Sequence, residues 1–177
     1  MVKKLSKFLA YTLFFILALI AFTPKSSLYF LLEENLKKFD VIVSKERLKE
    51  SFLTLHIENL EVSAKGIESA AVENADVTLL LFYNTIHLKN IALSSVVDAF
   101  VPPMVQSATL SYTVFNPLEV TGVAKGDFGE AEATFNLLDT NVTVVLQPSK
   151  TMLKKYTRSL REFKKNEKGE YIYAKTL

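Results

Sequence analysis

The apolar run near the N-terminus constrains the fold of this chain more than any other feature. Every position from 8 to 22 is apolar except Thr12. Extended back to Leu5, the run forms a helix about 27 Å long, close to the hydrocarbon thickness of a bilayer, which is about 30 Å. No polar stripe breaks it, so a core helix of a soluble protein explains it poorly. It predicts one transmembrane helix, with the anchoring side chains Phe8, Leu13, Phe15, Leu17 and Phe22.

The flanks of this run favour an uncleaved signal anchor over a cleaved signal peptide. Ala18 and Ala21 lie three positions apart, whereas a cleavage site needs small residues two apart. Lysines at positions 3, 4 and 7 precede the run without any acidic residue. Basic residues keep such a flank in the cytoplasm. Residues 1–25 are therefore predicted to be a cytoplasmic basic flank and an anchor, with the rest of the chain across the membrane.

A short amphipathic helix is predicted over residues 26–39. Pro24 ends the first helix, and Ser26 or Ser27 can cap the next one. Leucines and Phe39 recur on one face at intervals of three and four. Two placements fit equally well: the helix lies along the membrane surface, or it packs against the sheet that follows.

From residue 40 to residue 149 the apolar spacing changes to two, which predicts a β-domain. Leu55 and Ile57 alternate with polar residues, and the alternation slips by one position at Asn59. Such a slip moves side chains to the other face unless a bulge absorbs it. Residues 86–94 align without gaps on residues 55–63, slip included. The repeat predicts two equivalent β-units.

One strand, predicted over residues 72–83, is apolar on both faces. Val77, Leu79, Leu81 and Tyr83 share one of these faces. Such a strand belongs in the middle of a sheet or forms the wall of an apolar groove that takes acyl chains.

Four more strands are predicted downstream, with starts 10–13 residues apart, close to the spacing of about 8–12 residues that is typical of all-β domains. They cover residues 106–115, 119–125, 129–137 and 142–147. The predicted fold is mainly β: a single N-terminal transmembrane helix, then a curved antiparallel sheet or β-roll with a short helix at each end.

The C-terminal segment, residues 150–177, predicts a basic helix and a final short strand at residues 171–173. Leu153, Tyr156, Leu160 and Phe163 form an apolar stripe. The segment carries nine basic and three acidic residues. The helix either caps the sheet with its basic face in water, or attracts an acidic partner or anionic lipid. The candidate partner surface is Lys154, Arg158, Arg161 and Lys165.

The composition argues against several classes of function. Residues 23–149 hold 9 basic and 16 acidic residues, which makes a nucleic-acid partner improbable. The chain has no cysteine and lacks the motifs of nucleotide-binding proteins and serine hydrolases. His56 and His87 are its two histidines, and both fall on the polar side of the repeat. We therefore expect no enzyme activity, no cofactor and no metal site.

The order of motifs resembles a known family. After the anchor and the repeated strand unit, Asn116-Pro117 leads into the segment Lys125-Gly126-Asp127-Phe128-Gly129. The chain then runs through Leu146-Gln147-Pro148-Ser149 to a basic segment that closes on Gly169-Glu170-Tyr171-Ile172-Tyr173. In this order the chain resembles the general (type II) secretion pathway protein N family and, more distantly, AsmA-like proteins.

The resemblance implies a place and a role. It implies a single-pass protein of the bacterial inner membrane, with a periplasmic β-domain and an accessory, non-catalytic role in the type II secretion pathway. Its partners would then be the membrane and the membrane proteins of the secretion machinery. The alternative is a periplasmic module that handles lipid or lipopolysaccharide in an apolar groove, similar to AsmA-like proteins or to the anchored component of lipopolysaccharide export.

Overall fold

A computed structural model describes residues 2–176 and shows a mainly β protein. An N-terminal apolar helix precedes one open antiparallel sheet, and short helices flank the sheet. The predicted fold class is confirmed. The helices are α1 (Val2–Phe22), α2 (Lys25–Lys37), α3 (Ser95–Asp98) and α4 (Lys150–Lys155), and a 3-10 helix follows over Ser159–Glu162.

The described residues form eleven strands, which follow one another across the sheet almost in chain order. They are β1 (Val41–Ser44), β2 (Arg47–Glu50), β3 (Thr54–Ala64), β4 (Ile67–Leu79), β5 (Tyr83–Leu93), β6 (Met104–Thr113), β7 (Glu119–Gly126), β8 (Gly129–Asn136), β9 (Asn141–Pro148), β10 (Lys164–Lys165) and β11 (Tyr171–Thr176). The order across the sheet is β1-β3-β4-β5-β6-β7-β8-β9-β11-β10, and β2 also pairs with β3. Each connection from β3 to β9 therefore joins adjacent strands.

The two ends of the sheet differ because α1 joins only one of them. The backbone N–H of Lys25 donates to Glu50 Oε1 at 3.0 Å, which fixes the start of α2 beside the last residue of β2. We name this the α1 end. The turns at residues 51–53, 80–82, 114–118 and 137–140 all lie here. The opposite end carries the connections at residues 65–66, 94–103 and 127–128.

The two faces of the sheet are chemically distinct. The register aligns Leu55, Val77, Ile86 and Leu110 in one row across β3 to β6, and we name their side the apolar face. The other side is the polar face. Its neighbouring row runs through hydroxyl side chains over seven strands: Thr54, Thr78, Thr85, Ser111, Thr121, Thr134 and Thr143.

The predicted slip in the alternation is a shared kink. Asn59 and Asn90 have left-handed backbone angles, φ of 57° and 52°, and they lie on the two strands that flank Glu73 of β4. The register of β3 on β4, and of β4 on β5, is the same on both sides of this row. Ile57 and Leu60 are consequently both buried although they are three positions apart. The kink keeps one face apolar along the whole strand.

Helix α2 packs against the sheet rather than standing apart from it. Tyr29 contacts the main core cluster, which contains Leu55 and Ala75. Phe39, predicted to share the apolar face of this helix, lies beyond its end and is 75% exposed. Of the two placements that the sequence allows, the structure therefore has the one in which the helix packs on the following sheet.

The C-terminal segment is less helical than its pattern predicts. A continuous apolar stripe predicts one helix, but α4 ends at Lys155. The Tyr156 hydroxyl then donates to Asp98 at 3.0 Å, and Ser159 Oγ donates to the carbonyl of Phe100 at 2.6 Å. These two bonds hold the chain along the connection at residues 94–103, so its path bends. The predicted strand at residues 171–173 is confirmed as part of β11.

Both edges of the sheet are open in the described residues. At one edge, β1 and β2 cover β3, and the break between them falls at Lys45, whose φ is 64°. At the other edge, β10 covers only the first two residues of β11. Exposed basic side chains border both edges: Lys45, Arg47 and Lys49 on one, and Lys164, Lys165 and Lys175 on the other.

Candidate functional site

An apolar cavity of about 290 Å³ lies between α2 and the apolar face, at the α1 end of the sheet. Helix α2 forms one wall because Lys25, Leu28, Tyr29 and Leu32 recur on one of its faces at intervals of three and four. Strands β4 to β7 form the other wall. The lining residues from the sheet are Val77, Leu79, Asn84, Thr85, Ile86, Leu110, Ser111, Tyr112 and Val120.

The structure places two of the four predicted groove residues in this cavity and two outside it. Val77 and Leu79 line the cavity, whereas Leu81 and Tyr83 do not. The reason is that β4 ends at Leu79 and the chain reverses over residues 80–82. Tyr83 therefore begins β5 on the polar face, with its hydroxyl 3.4 Å from Ser111 Oγ. Leu81 lies in the turn itself.

The apolar face continues beyond the cavity. Gly122, Ala133 and Val144 extend the row of Leu110 across β7, β8 and β9, and Phe135 and Val142 lie beside them. These residues are half-buried, although their strands lie in the middle of the sheet. Helix α4 covers this face only near the opposite end, around Leu146. The cavity therefore opens onto a wider apolar strip.

Lys25 is a buried cation in the wall of this cavity. It is only 1% exposed, and its Nζ donates to the carbonyl oxygens of Ile20 and Thr23 at 3.4 and 3.3 Å. Ile20 belongs to the last turn of α1 and Thr23 directly follows the helix, at the end where the helix dipole favours positive charge. No carboxylate of the described residues lies within ion-pair distance of this amine. Lys25 therefore ties α1 to α2.

Tyr29 is a second residue of the cavity wall with a buried polar group. Its hydroxyl is buried and has no hydrogen-bond partner among the described residues. Burial raises the pKa of Tyr29, and the nearby carboxylates of Glu46 and Glu33 act in the same direction. Glu46 is close enough to act electrostatically but does not accept a well-formed hydrogen bond. The phenol therefore stays protonated at neutral pH.

Helix α1 is long and apolar enough to cross a membrane, by its length and composition. Residues 4–22 of this helix are not buried against the rest of the protein. The predicted anchoring side chains are all exposed, from 49% for Leu17 to 85% for Phe22, the others being Phe8, Leu13 and Phe15. They face the surroundings of the protein and not its core.

The predicted partner surface lies at the opposite end of the sheet. Lys154 is on α4, Arg158 directly precedes the 3-10 helix, Arg161 lies within that helix, and Lys165 is on β10. All four are exposed, and none makes an ion pair within the described chain. Strand β9 separates α4 from the α1 end by about 25 Å, well beyond the Debye length of about 8 Å. At this distance, the headgroups of a membrane that holds α1 are disfavoured as the partner of the basic surface.

The histidines take part in hydrogen bonds on the polar face. His56 Nδ1 is 2.5 Å from Asp76 Oδ1, and His87 Nδ1 is 2.7 Å from Thr109 Oγ1. His56 and His87 occupy the same register on the two strands beside Asp76. No group of three or more potential metal ligands is found within residues 2–176.

Several residues that line this cavity were not identified from the sequence. Lys25 precedes the predicted helix, and Ile86, Leu110 and Val120 belong to three different strands. Only the register of the sheet brings them together. Their apolar alternation signals a buried face, but it does not say which part of that face stays uncovered.

Comparisons with known proteins found no family model, no curated protein and no solved structure that matches this chain. The resemblance to secretion pathway protein N, and with it the secretion role, stays a prediction.

Proposed function

We propose that this chain is a single-pass membrane protein whose β-domain binds the acyl chain of an amphiphile, such as a phospholipid or lipopolysaccharide. The apolar cavity of about 290 Å³ beside the end of α1 carries the proposal. Small-molecule sites are typically apolar concavities of a few hundred Å³ or more with a few polar groups. This cavity is at the lower limit of that range, which suits one chain rather than a whole lipid.

The free energy of binding would come from burial of methylene groups. Each CH₂ that leaves water contributes about 0.8 kcal/mol. The strip that continues the cavity over Ala133 and Val144 would accept further methylenes from the same chain.

The place of the protein is part of the proposal. Lysines at positions 3, 4 and 7 keep the N-terminus in the cytoplasm of a bacterial cell. Helix α1 then crosses the inner membrane, and the β-domain lies in the periplasm. The cavity adjoins the last turn of α1, so it lies where lipids leave or enter the bilayer.

Photo-crosslinking tests the proposal directly. The full chain is reconstituted with a phosphatidylglycerol that carries a diazirine near the end of one acyl chain, and crosslinked peptides are mapped by mass spectrometry. We expect crosslinks to Leu32, Leu110 and Val120, in addition to those on α1. Crosslinks confined to α1 would exclude an acyl chain from the cavity.

A matched pair of substitutions on β7 separates filling of the cavity from general damage. Val120→Phe places a larger side chain in the cavity, whereas Val123→Phe places the same side chain on the polar face. We expect Val120→Phe to remove the crosslinks to α2 and Val123→Phe to leave them unchanged. Equal crosslinking in both variants would contradict the proposed site.

A further inference from the structure

The turns at the α1 end of the sheet expose large apolar side chains. Phe52 is 61% exposed between β2 and β3, and Phe82 is 51% exposed between β4 and β5. Phe115 is 85% exposed and Leu118 47% exposed between β6 and β7, and Leu138 is 72% exposed between β8 and β9. We name these five residues the apolar rim. Turns of a water-soluble sheet are normally rich in Gly, Asn, Asp and Ser.

Exposed apolar side chains recur along this end of the sheet. Each of the four turns at the α1 end contributes to it. The rings of Phe82 and Phe115 stack across two turns, with centroids 6.2 Å apart. At the opposite end, Lys65 and Gly66 form the turn between β3 and β4, but the connection at residues 94–103 exposes Val96 and Phe100, so the position beside α1 is what distinguishes the rim. Exposed apolar patches of this kind mark an interaction site.

The chain itself determines what the rim faces. Residues 4–22 of α1 span about 28 Å, which leaves no excess length over a hydrocarbon layer of about 30 Å. Only Thr23 and Pro24 separate α1 from α2. The first residue of α2, Lys25, is hydrogen-bonded to Glu50, two positions before Phe52. A transmembrane α1 therefore delivers this end of the sheet to the bilayer surface.

We propose that the apolar rim inserts into the headgroup region of the membrane that holds α1, so that the β-domain stands on its end with the cavity open towards the lipids. The proposal rests on α1 spanning the membrane, as proposed above. The driving force is apolar, because the charged residues nearest the rim are Glu50, Glu119 and Asp139. Interfacial insertion by apolar side chains does not need a basic surface, although anionic lipid strengthens it where one exists.

The absence of tryptophan from the sequence makes a clean experiment possible. Single-tryptophan variants of the full chain are reconstituted into phosphatidylcholine vesicles with and without brominated acyl chains, which quench tryptophan only on contact. The variants are Phe115→Trp and Leu138→Trp on the rim, Phe15→Trp within α1, and Ile67→Trp at the opposite end of β4. Ile67 is 51% exposed and lies about 40 Å along the strand from the rim.

We expect brominated lipid to reduce the emission of both rim variants and to leave Ile67→Trp unchanged. In the same vesicles, the tryptophan emission of the rim variants should also lie at shorter wavelength than that of Ile67→Trp, whose side chain stays in water. Quenching of Phe15→Trp without quenching at the rim would overturn the proposal while leaving α1 as an anchor. Equal quenching at Ile67 would also overturn it, because the domain would then lie flat. Without quenching of Phe15→Trp, the anchor and the rim proposal both fail.

A charged pair of substitutions supplies the second measurement. Phe115→Asp combined with Leu138→Asp should abolish the lipid quenching of Phe82→Trp, whereas Ile67→Asp should not affect it. Both changes are at exposed positions, so folding is preserved and circular dichroism checks it. Val120→Phe, which fills the cavity, should leave rim quenching unaltered. The proposal that the rim inserts into the membrane and the proposal that the cavity binds an acyl chain can therefore be refuted independently. Unchanged quenching in the doubly charged variant would count against the rim.

Discussion

Single asparagines decide whether one face of this sheet stays apolar. Asn59 and Asn90 adopt left-handed backbone angles in otherwise regular strands. Asparagine tolerates this region better than other residues with a side chain, because its amide can bond locally. Here Asn90 Nδ2 donates to Glu73 at 2.7 Å. The kink lets both segments of the strand present apolar side chains to the same core.

Replacing Asn90 tests the role of backbone angle separately from that of the hydrogen bond. Asn90→Gly and Asn90→Ala both lose the bond to Glu73, but only alanine is strained at a φ of 52°. We expect Asn90→Ala to unfold about 1 kcal/mol more easily than Asn90→Gly. Urea unfolding in detergent, followed by circular dichroism, measures the difference. Equal stability of the two variants would mean that the left-handed backbone angle at position 90 imposes no measurable strain on alanine.

Some of this residue-scale structure is visible in the sequence and some is not. The slip at Asn59, repeated at Asn90, can be predicted from the sequence because the alternation of apolar and polar residues changes phase there. The turn after β4 is not, because Leu80, Leu81 and Phe82 contain no turn-forming residue. A neighbouring side chain closes that turn, since Asn84 Oδ1 accepts from the Leu80 N–H at 3.0 Å. The alternation therefore runs on through Leu81 and Tyr83 in the sequence and predicts them in the groove, whereas the structure places the turn there.

At the scale of elements, one carboxylate joins α2 to the sheet. Glu50 accepts bonds from the backbone N–H groups of Lys25 and Ser26, and from the Ser26 hydroxyl at 2.5 Å. It satisfies free donors at the start of α2, where no side chain of the helix itself acts as a cap. The bond from Ser26 and the backbone bonds lower the pKa of Glu50 below its usual value of 4.5.

The lowered pKa of Glu50 predicts a pH dependence of stability. Because the folded state favours the carboxylate, this contribution is fully present above pH 4.5 and is lost as the pH falls through the lowered pKa. Glu50→Gln should therefore be less stable than the parent at pH 7, and the difference should narrow below pH 4. Thermal unfolding of both proteins between pH 7 and pH 3 measures this. A constant difference across that range would contradict the role of the charge.

The sequence predicts the existence of the elements better than their mutual arrangement. Periodicity locates α2 and the strands from β3 to β9 because each buries one face. It cannot show that the bonds from Tyr156 and Ser159 to the connection at residues 94–103 bend the C-terminal segment. Nor can it find the cavity, which exists because four residues of α2 stand over strands β4 to β7 without filling the space between them.

At the scale of the whole molecule, the proposed function depends on how the sheet stands relative to the bilayer. The candidate partner surface of Lys154, Arg158, Arg161 and Lys165 and the apolar rim lie at opposite ends of the strands. If α1 crosses the membrane, the basic end points away from it. A protein partner with an acidic surface would reach that end from the periplasm, and the acyl chain would enter from the other.

Cysteine labelling tests this orientation, since the chain has no cysteine of its own. Lys154→Cys should react with a membrane-impermeant maleimide in intact spheroplasts. Lys4→Cys should react only after the membrane is opened. The reverse pattern would place the β-domain in the cytoplasm and contradict the proposed topology. Reaction of both variants in intact spheroplasts would show that the membrane was already leaky, and a cytoplasmic marker protein controls for that.

The two open edges of the sheet bear on how many copies can share a membrane safely. An uncovered strand is a template for pairing with another chain, and a membrane concentrates its proteins in two dimensions. Here Arg47 and Lys49 border one edge, and Lys164 and Lys175 border the other. Two neighbouring copies that met edge to edge would bring like charges together at the distance of a strand pair. These charges therefore disfavour edge-to-edge pairing of neighbouring copies, although the open backbone edges would allow it.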